Sequence, residues 1–134
     1  MIFRSIGDAA ASRWSGTGEG WVNSGDGWVS QRLLLKADAV NFSLSITDLE
    51  PGTELDLAYL NHFEANYCIS GTGHVTDVAK GRTYSLKPGD IYVVDQHDHH
   101  ILRAETELRL VCVFWPALTG TEKHDAKGGY PLSE

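Results

Sequence analysis

The chain has 134 residues, the size of one ordinary domain, and its 42% apolar and 22% charged residues fall in the globular range rather than the disordered or collagen-like ones. Eleven Lys and Arg against eighteen Asp and Glu leave a formal charge of −7, a field that repels polyanions and excludes nucleic acid and anionic membrane as natural partners. The longest apolar stretch, around Leu110 to Trp115, is far short of the roughly 18–20 residues that cross a bilayer.

Residues 1–134 therefore read as one unit, and the elements follow in chain order. Met1-Ile2-Phe3-Arg4-Ser5-Ile6-Gly7-Asp8 lacks a basic region followed by an apolar run and a small-residue cleavage site, so a cytoplasmic protein is expected. Asp8–Arg13 is compatible with one short helix, and the Gly- and Ser-rich stretch Ser15–Gly27 reads as a loop. Period-2 alternation and β-branched or aromatic enrichment then predict strands at Ser30–Lys36, Phe42–Asp48, Glu54–Tyr59, Ala65–Ser70, His74–Val78, Arg82–Leu86, Ile91–Asp95, His100–Glu105 and Leu108–Trp115. Pro51-Gly52, Gly71-Thr72-Gly73, Lys80-Gly81 and Lys87-Pro88-Gly89-Asp90 supply the turns between them. The tail from Pro116 to Glu134 is loop-like and carries Glu122 and His124. Cys68 and Cys112 each lie inside a strand-like run, without Cys-x-x-Cys pairing, and are expected as buried, reduced thiols. Close, regular strand spacing with scarce helical periodicity predicts an all-β sandwich or barrel.

Chemistry concentrates in Asp95-Gln96-His97-Asp98-His99-His100, at the end of a predicted strand. Any one histidine of an acidic, His-rich turn is most simply solvated, so spacing has to single one out. Gly89-x5-Asp95-x-His97-x2-His100 is similar to the second motif of the cupins, small β-barrels of jelly-roll type, in which the last histidine projects inward and binds metal. His100 is the favoured ligand, with His97 and His99 left to the turn. Gly52-x11-Glu64-x6-Gly71 resembles the first cupin motif and retains its glutamate, but Ala58 and Leu60 occupy the positions of its two metal histidines. Glu64 and His100 are too few ligands, so a third donor has to face the same interior. Tyr92 is a candidate on the strand before the His100 loop, where alternation puts Asp90, Tyr92 and Val94 on one face; from the residues alone it could equally be an ordinary aromatic strand residue.

A more specific resemblance is carried by Trp28-x-Ser30-x-Arg32-Leu33, His62-Phe63-Glu64-Ala65-x-Tyr67-Cys68, Lys87-Pro88-Gly89-Asp90-Ile91-Tyr92, Asp95-Gln96-His97-Asp98-x-His100, Val111-Cys112-Val113-Phe114-x-Pro116 and Thr119-Gly120-x-Glu122-x-His124. These motifs, spread from Trp28 to Tyr130, resemble the ectoine synthase family of small cupins. The resemblance implies a homodimer that closes N-γ-acetyl-L-2,4-diaminobutyrate to the cyclic amidine ectoine with loss of water, using iron(II) or another divalent transition metal. It implies Glu64, Tyr92 and His100 as the metal ligands. It implies a pocket for this small amino-acid substrate formed by Trp28, Ser30, Arg32, Thr47, His62, Cys112 and Phe114, with Tyr59, Glu122 and His124 moving protons. Parity agrees: Trp28, Ser30 and Arg32 share one strand face, as do Cys112 and Phe114.

The residue types suit that chemistry. An amine attacking an amide carbonyl needs the carbonyl polarised and protons moved from nitrogen to oxygen, while a carboxylate needs donors such as Arg32, Ser30 and Thr47. Asp56-Leu57-Ala58-Tyr59-Leu60-Asn61-His62 departs from the family, whose members carry more basic side chains there. Two alternatives follow: a related cupin cyclase acting on another amino-acid amide such as glutamine, and a non-catalytic cupin that binds a small molecule.

Overall fold

Apolar alternation along the chain becomes two antiparallel sheets packed face to face in the computed structural model, which describes residues 1–6, 22–120, 122, 124 and 128–130. The larger sheet contains β1 (Val22–Gly25), β2 (Trp28–Leu34), β3 (Ser43–Leu49), β5 (Phe63–Ser70), β8 (Ile91–Val94) and β10 (Leu108–Trp115), in the order β1-β2-β3-β10-β5-β8. The smaller contains β4 (Glu54–Leu57), β6 (Gly73–Asp77), β7 (Arg82–Leu86) and β9 (His100–Ala104), in the order β4-β9-β6-β7. This is the expected all-β, cupin-like jelly roll. The expected short helix at Asp8–Arg13 lies outside the described residues, among which no helix is long and apolar enough to cross a membrane.

Most predicted strands lie within one or two residues of their observed positions. The exception at the start is β1, which falls inside the expected loop: Asp26-Gly27 closes a hairpin in which Gly25 faces Trp28, and Gly27 takes the left-handed φ of +80° that such a tight turn demands. β4 stops at Leu57, two residues early, and Ala58 and Tyr59 are then both buried in succession. Gly128 and Gly129 lie against this segment, and the Ala58 N–H donates to the Gly128 carbonyl. Strand alternation therefore ends at Leu57 and does not extend through Ala58 and Tyr59.

The core divides along the barrel. Leu49, Cys68, Val75, Leu86, Leu102, Ala104, Leu108 and Leu110 seal one end, each large aliphatic side chain contributing about 1.5–3 kcal/mol by leaving water. Leu35, Leu57, Tyr59, Phe114, Leu118 and Tyr130 form a second, aromatic cluster at the other end. Both cysteines are reduced and buried, as expected. Gly71, at φ +83°, brings the β5–β6 turn so close to the Glu107 carbonyl that a Cβ there would collide with it. Functional side chains occupy the space between the two clusters.

Candidate active site

Each strand that faces the interior contributes at alternate positions: Trp28, Ser30 and Arg32 from β2, Ser45 and Thr47 from β3, Glu64 and Asn66 from β5, Tyr92 from β8, Cys112 and Phe114 from β10. Together with Tyr59, His124 and Tyr130 they line a cavity of about 40 Å³. Aromatic rings narrow it: Tyr59 meets Phe114 edge-on at 4.9 Å and His124 stacks on Tyr130 at 4.4 Å between centroids. Ten of the thirteen residues expected at the site line this cavity; His62, His100 and Glu122 flank it.

At one side the two sheets converge on a potential metal centre. Glu64 and Tyr92 come from the larger sheet, on neighbouring strands that pair Asn66 with Tyr92 and Glu64 with Val94. His100 opens β9 of the smaller sheet, its ring centroid 6.2 Å from that of Tyr92 and 6.0 Å from that of Tyr59. Glu64 Oε1 and His100 Nε2 are both buried and both lack a hydrogen-bond partner. Since His100 Nδ1 lies 2.9 Å from the Asp98 carbonyl, which can only accept, the proton resides on Nδ1 and the buried Nε2 carries the lone pair. Burial lowers the imidazole pKa and keeps that lone pair available, while burial raises the Glu64 carboxyl to about 7, an effect the Asn66 amide opposes. A carboxylate and a neutral imidazole, each unpaired in a dry interior, fit a divalent cation. Among the described residues no group of three or more His, Cys, Asp and Glu side chains is placed to hold a metal, and Tyr92 lines the same cavity as Glu64.

His97 and His99 face elsewhere. His99 pairs with Asp56 at the surface. His97 adopts a left-handed backbone (φ +56°), donates from Nδ1 to the Tyr59 carbonyl at 2.9 Å and stacks on Phe63, which stacks in turn on Trp115. The turn that presents His100 is thereby fastened to the segment that carries Tyr59.

Tyr59 Oη lies 3.0 Å from His124 Nε2. Burial and the nearby Glu64 carboxylate push its phenol well above the ordinary tyrosine value, so Tyr59 is protonated and His124 is the group with which it can exchange. Arg32, 3% exposed, donates to the Gly120 carbonyl at 3.1 Å; burial lowers its pKa, an effect that Tyr130 and Glu122 oppose. Thr47 donates to Ser30 at 3.2 Å, and the Cys112 thiol, raised far by burial, lies 3.5 Å from Thr47 Oγ1. His62 is held neutral by burial, with Glu122 opposing, and packs edge-on against Phe114 and Tyr130 behind the cavity wall.

Glu122 also organises the loop in which it lies. Its carboxylate accepts from the Thr119 N–H, the Thr119 hydroxyl and the Gly120 N–H, each at 2.8 Å. Burial raises its pKa, but these donors outweigh burial and hold it below the usual carboxylate value, so the group shapes the loop that closes on Arg32. Glu122→Gln should cost about 1–3 kcal/mol of stability at pH 7. Because the folded pKa is depressed, that contribution is complete above the unfolded value of about 4.3 and is lost as pH falls through the folded one, so the variant and the parent should converge in acid. Urea denaturation at pH 7 and at descending pH checks this; a gap independent of pH would refute it.

Asn66, Ser45 and Tyr130 line the cavity yet were not expected there. Asn66 shares the parity of Glu64, which was a sufficient signal; Ser45 shares that of Thr47 on β3; Tyr130 lies in the tail, where no periodicity exists to read.

With this geometry in view, comparisons with known proteins are informative. A family profile described as ectoine synthase matches residues 1–134. The chain is 50% identical over 132 residues to the L-ectoine synthase of Oceanobacillus iheyensis, covering 98% of each chain. It is 45% identical over 132 residues to that of Saccharophagus degradans, covering 98% of this chain and 95% of the relative. The crystal structure of ectoine synthase from P. lautus superposes with a TM-score of 0.83 at 39% identity, over all of this chain and 92% of that one.

Proposed function

The chain belongs to the ectoine synthase family, a cyclodehydratase lineage, and on that premise we propose that ring closure takes place in the cavity between its two sheets. The reaction closes N-γ-acetyl-L-2,4-diaminobutyrate to ectoine: the α-amine adds to the acetyl carbonyl carbon, the carbonyl oxygen becomes a hydroxyl, and that hydroxyl leaves as water while the C=N bond of the amidine forms. Two protons pass from nitrogen to oxygen, and no oxidant or reductant is needed.

Family membership implies a metal-dependent reaction, and Glu64, Tyr92 and His100 are the proposed ligands, for iron(II) or a related divalent ion. Bound there, such an ion supplies Lewis acidity toward the acetyl oxygen. The observation that carries this reading is the pair of buried, unpartnered donors, Glu64 Oε1 and His100 Nε2, beside the Tyr92 phenol. The rest falls to the chain itself. Arg32, with the Ser30 and Thr47 hydroxyls, offers the donors that a substrate carboxylate requires. Trp28 and Phe114 enclose the aliphatic chain and exclude water, which favours dehydration. Tyr59 gives its hydroxyl proton to the departing oxygen, and His124 takes a proton from the amine and restores Tyr59. Cys112 and His62 complete the wall, and Glu122 holds the loop across Arg32.

Assay of the iron-loaded protein on N-γ-acetyl-L-2,4-diaminobutyrate, its α-acetyl isomer and glutamine tests the proposal. Ectoine formed from the first substrate supports it. Turnover of glutamine alone would replace the substrate, and no turnover with stoichiometric metal bound would leave the binding-protein reading.

Two copies are proposed to pair as a homodimer. The outer face of the larger sheet carries Phe63, Tyr67, Ile69, Ile91, Val93 and Trp115, each more than a third exposed, on the adjoining strands β5, β8 and β10, and among the described residues β8 ends the sheet with an unpaired edge. Sedimentation velocity at micromolar concentration should show a dimer and Ile91→Glu a monomer; a monomeric parent protein would refute the pairing.

A further inference from the structure

The inward positions of β5 are Glu64, Asn66 and Cys68; Cys68 belongs to the apolar core, and the Asn66 amide is a polar group the reaction has not used. It is 2% exposed, and its side-chain nitrogen is sealed from solvent without an acceptor in hydrogen-bond geometry, the Glu64 carboxylate being the polar group beside it. Its partners in register are Tyr92 on β8 and Cys112 on β10, and it lines the cavity beside the Glu64 carboxylate, together with Leu102 and Leu110. A valine or leucine would fill such a place without burying an amide whose N–H donors have no well-formed acceptor, which is the costly choice in a dry interior. Buried unpaired donors at the edge of a cavity are what a site keeps for a polar atom of its ligand.

Accepting the ring closure set out above, we propose that Asn66 is a further catalytic residue, donating an amide N–H to the acetyl oxygen of the substrate, the atom that gains charge on amine attack and leaves as water. The placement fits: the oxygen has to lie near Glu64 and Tyr92, and Asn66 is next to the first along β5 and directly across from the second. A donor fixed before the substrate arrives stabilises that oxygen most when its charge has grown, so the contribution belongs to kcat rather than to KM. The amide also sets the acyl group the cavity accepts, since an analogue with no acceptor at this position would leave the N–H groups unmatched.

The test compares the parent protein with Asn66→Leu and Asn66→Asp. Ectoine formation by the parent establishes the underlying reaction first; its failure would overturn that reading and leave Asn66 without a reacting oxygen. With it, both variants should lose about 100-fold in kcat, the lower range for removing one such donor, with KM changed little and iron bound at the parent's stoichiometry and affinity. Asn66→Leu should melt no lower than the parent. Direct titration with L-ectoine, which has lost the oxygen in question, should give the same Kd for parent and Asn66→Leu, whereas a merely structural role would weaken ectoine binding together with kcat. The proposal is overturned by near-normal kcat in either variant, by weaker iron binding with kcat restored at excess iron, or by loss of ectoine affinity. Should Asn66→Leu fail to fold, Asn66→Asp, of equal size, decides alone by the kcat and iron measurements.

Discussion

His100→Ala should empty the protein of iron, and with it abolish turnover, while His97→Ala keeps a full complement of metal. The two residues are separated by three positions and look equivalent in the sequence, but their surroundings are opposite. His100 is 2% exposed, with Nδ1 committed to the Asp98 carbonyl and Nε2 bare. His97 has its Nδ1 on the Tyr59 carbonyl and its ring stacked on Phe63. Loss of groups that only support a metal ligand costs 10–100-fold in affinity, so removal of the ligand itself should exceed about 100-fold. Metal analysis by atomic emission after desalting reads this directly. Iron retained by His100→Ala but lost by His97→Ala would mean that the wrong histidine has been assigned.

Tyr59→Phe should preserve fold and iron while lowering kcat by at least about 100-fold, the lower range for general acid–base catalysis. The ring has its own structural work, packed against Phe114, Tyr130 and His124, and phenylalanine keeps all of it. What the substitution removes is a hydroxyl 3.0 Å from His124 Nε2. Burial first, and then the Glu64 carboxylate, disfavour a phenolate at Tyr59, so the phenol enters as a proton donor with His124 as its partner. His124→Ala should then resemble Tyr59→Phe, and the double variant should fall little below either, because one relay is broken in all three. Near-normal turnover in Tyr59→Phe would refute the relay.

Strand positions and the inward faces of β2, β5 and β10 were legible in the sequence because one face of each strand is buried, and a period of two then leaves a clear trace. β1 was hidden by its composition, although Asp26-Gly27 carried the hairpin signal. Of the proposed metal ligands, Glu64 and His100 could be picked out by spacing, whereas Tyr92 is indistinguishable from any strand aromatic until its partners across the sheet are known. Glu122 and Tyr130 depend on how an irregular tail returns to Arg32, which no local rule encodes. His97 shows the opposite limit: a histidine in an acidic turn looked solvated, and its bond to the Tyr59 carbonyl joins two segments far apart in the chain.

The three proposed metal ligands are divided between the layers of the sandwich, Glu64 and Tyr92 from one sheet and His100 from the other. An ion gripped in this way would act as a clasp across the interior, since neither sheet alone could retain it and separation of the layers would sever its coordination. Its affinity would then be drawn on by the folded state as a whole: binding to the native form and not to the opened one lowers the native free energy by RT ln(1 + [metal]/Kd). Cellular iron supply would accordingly govern how long each copy resists unfolding and proteolysis, in addition to how fast it turns over.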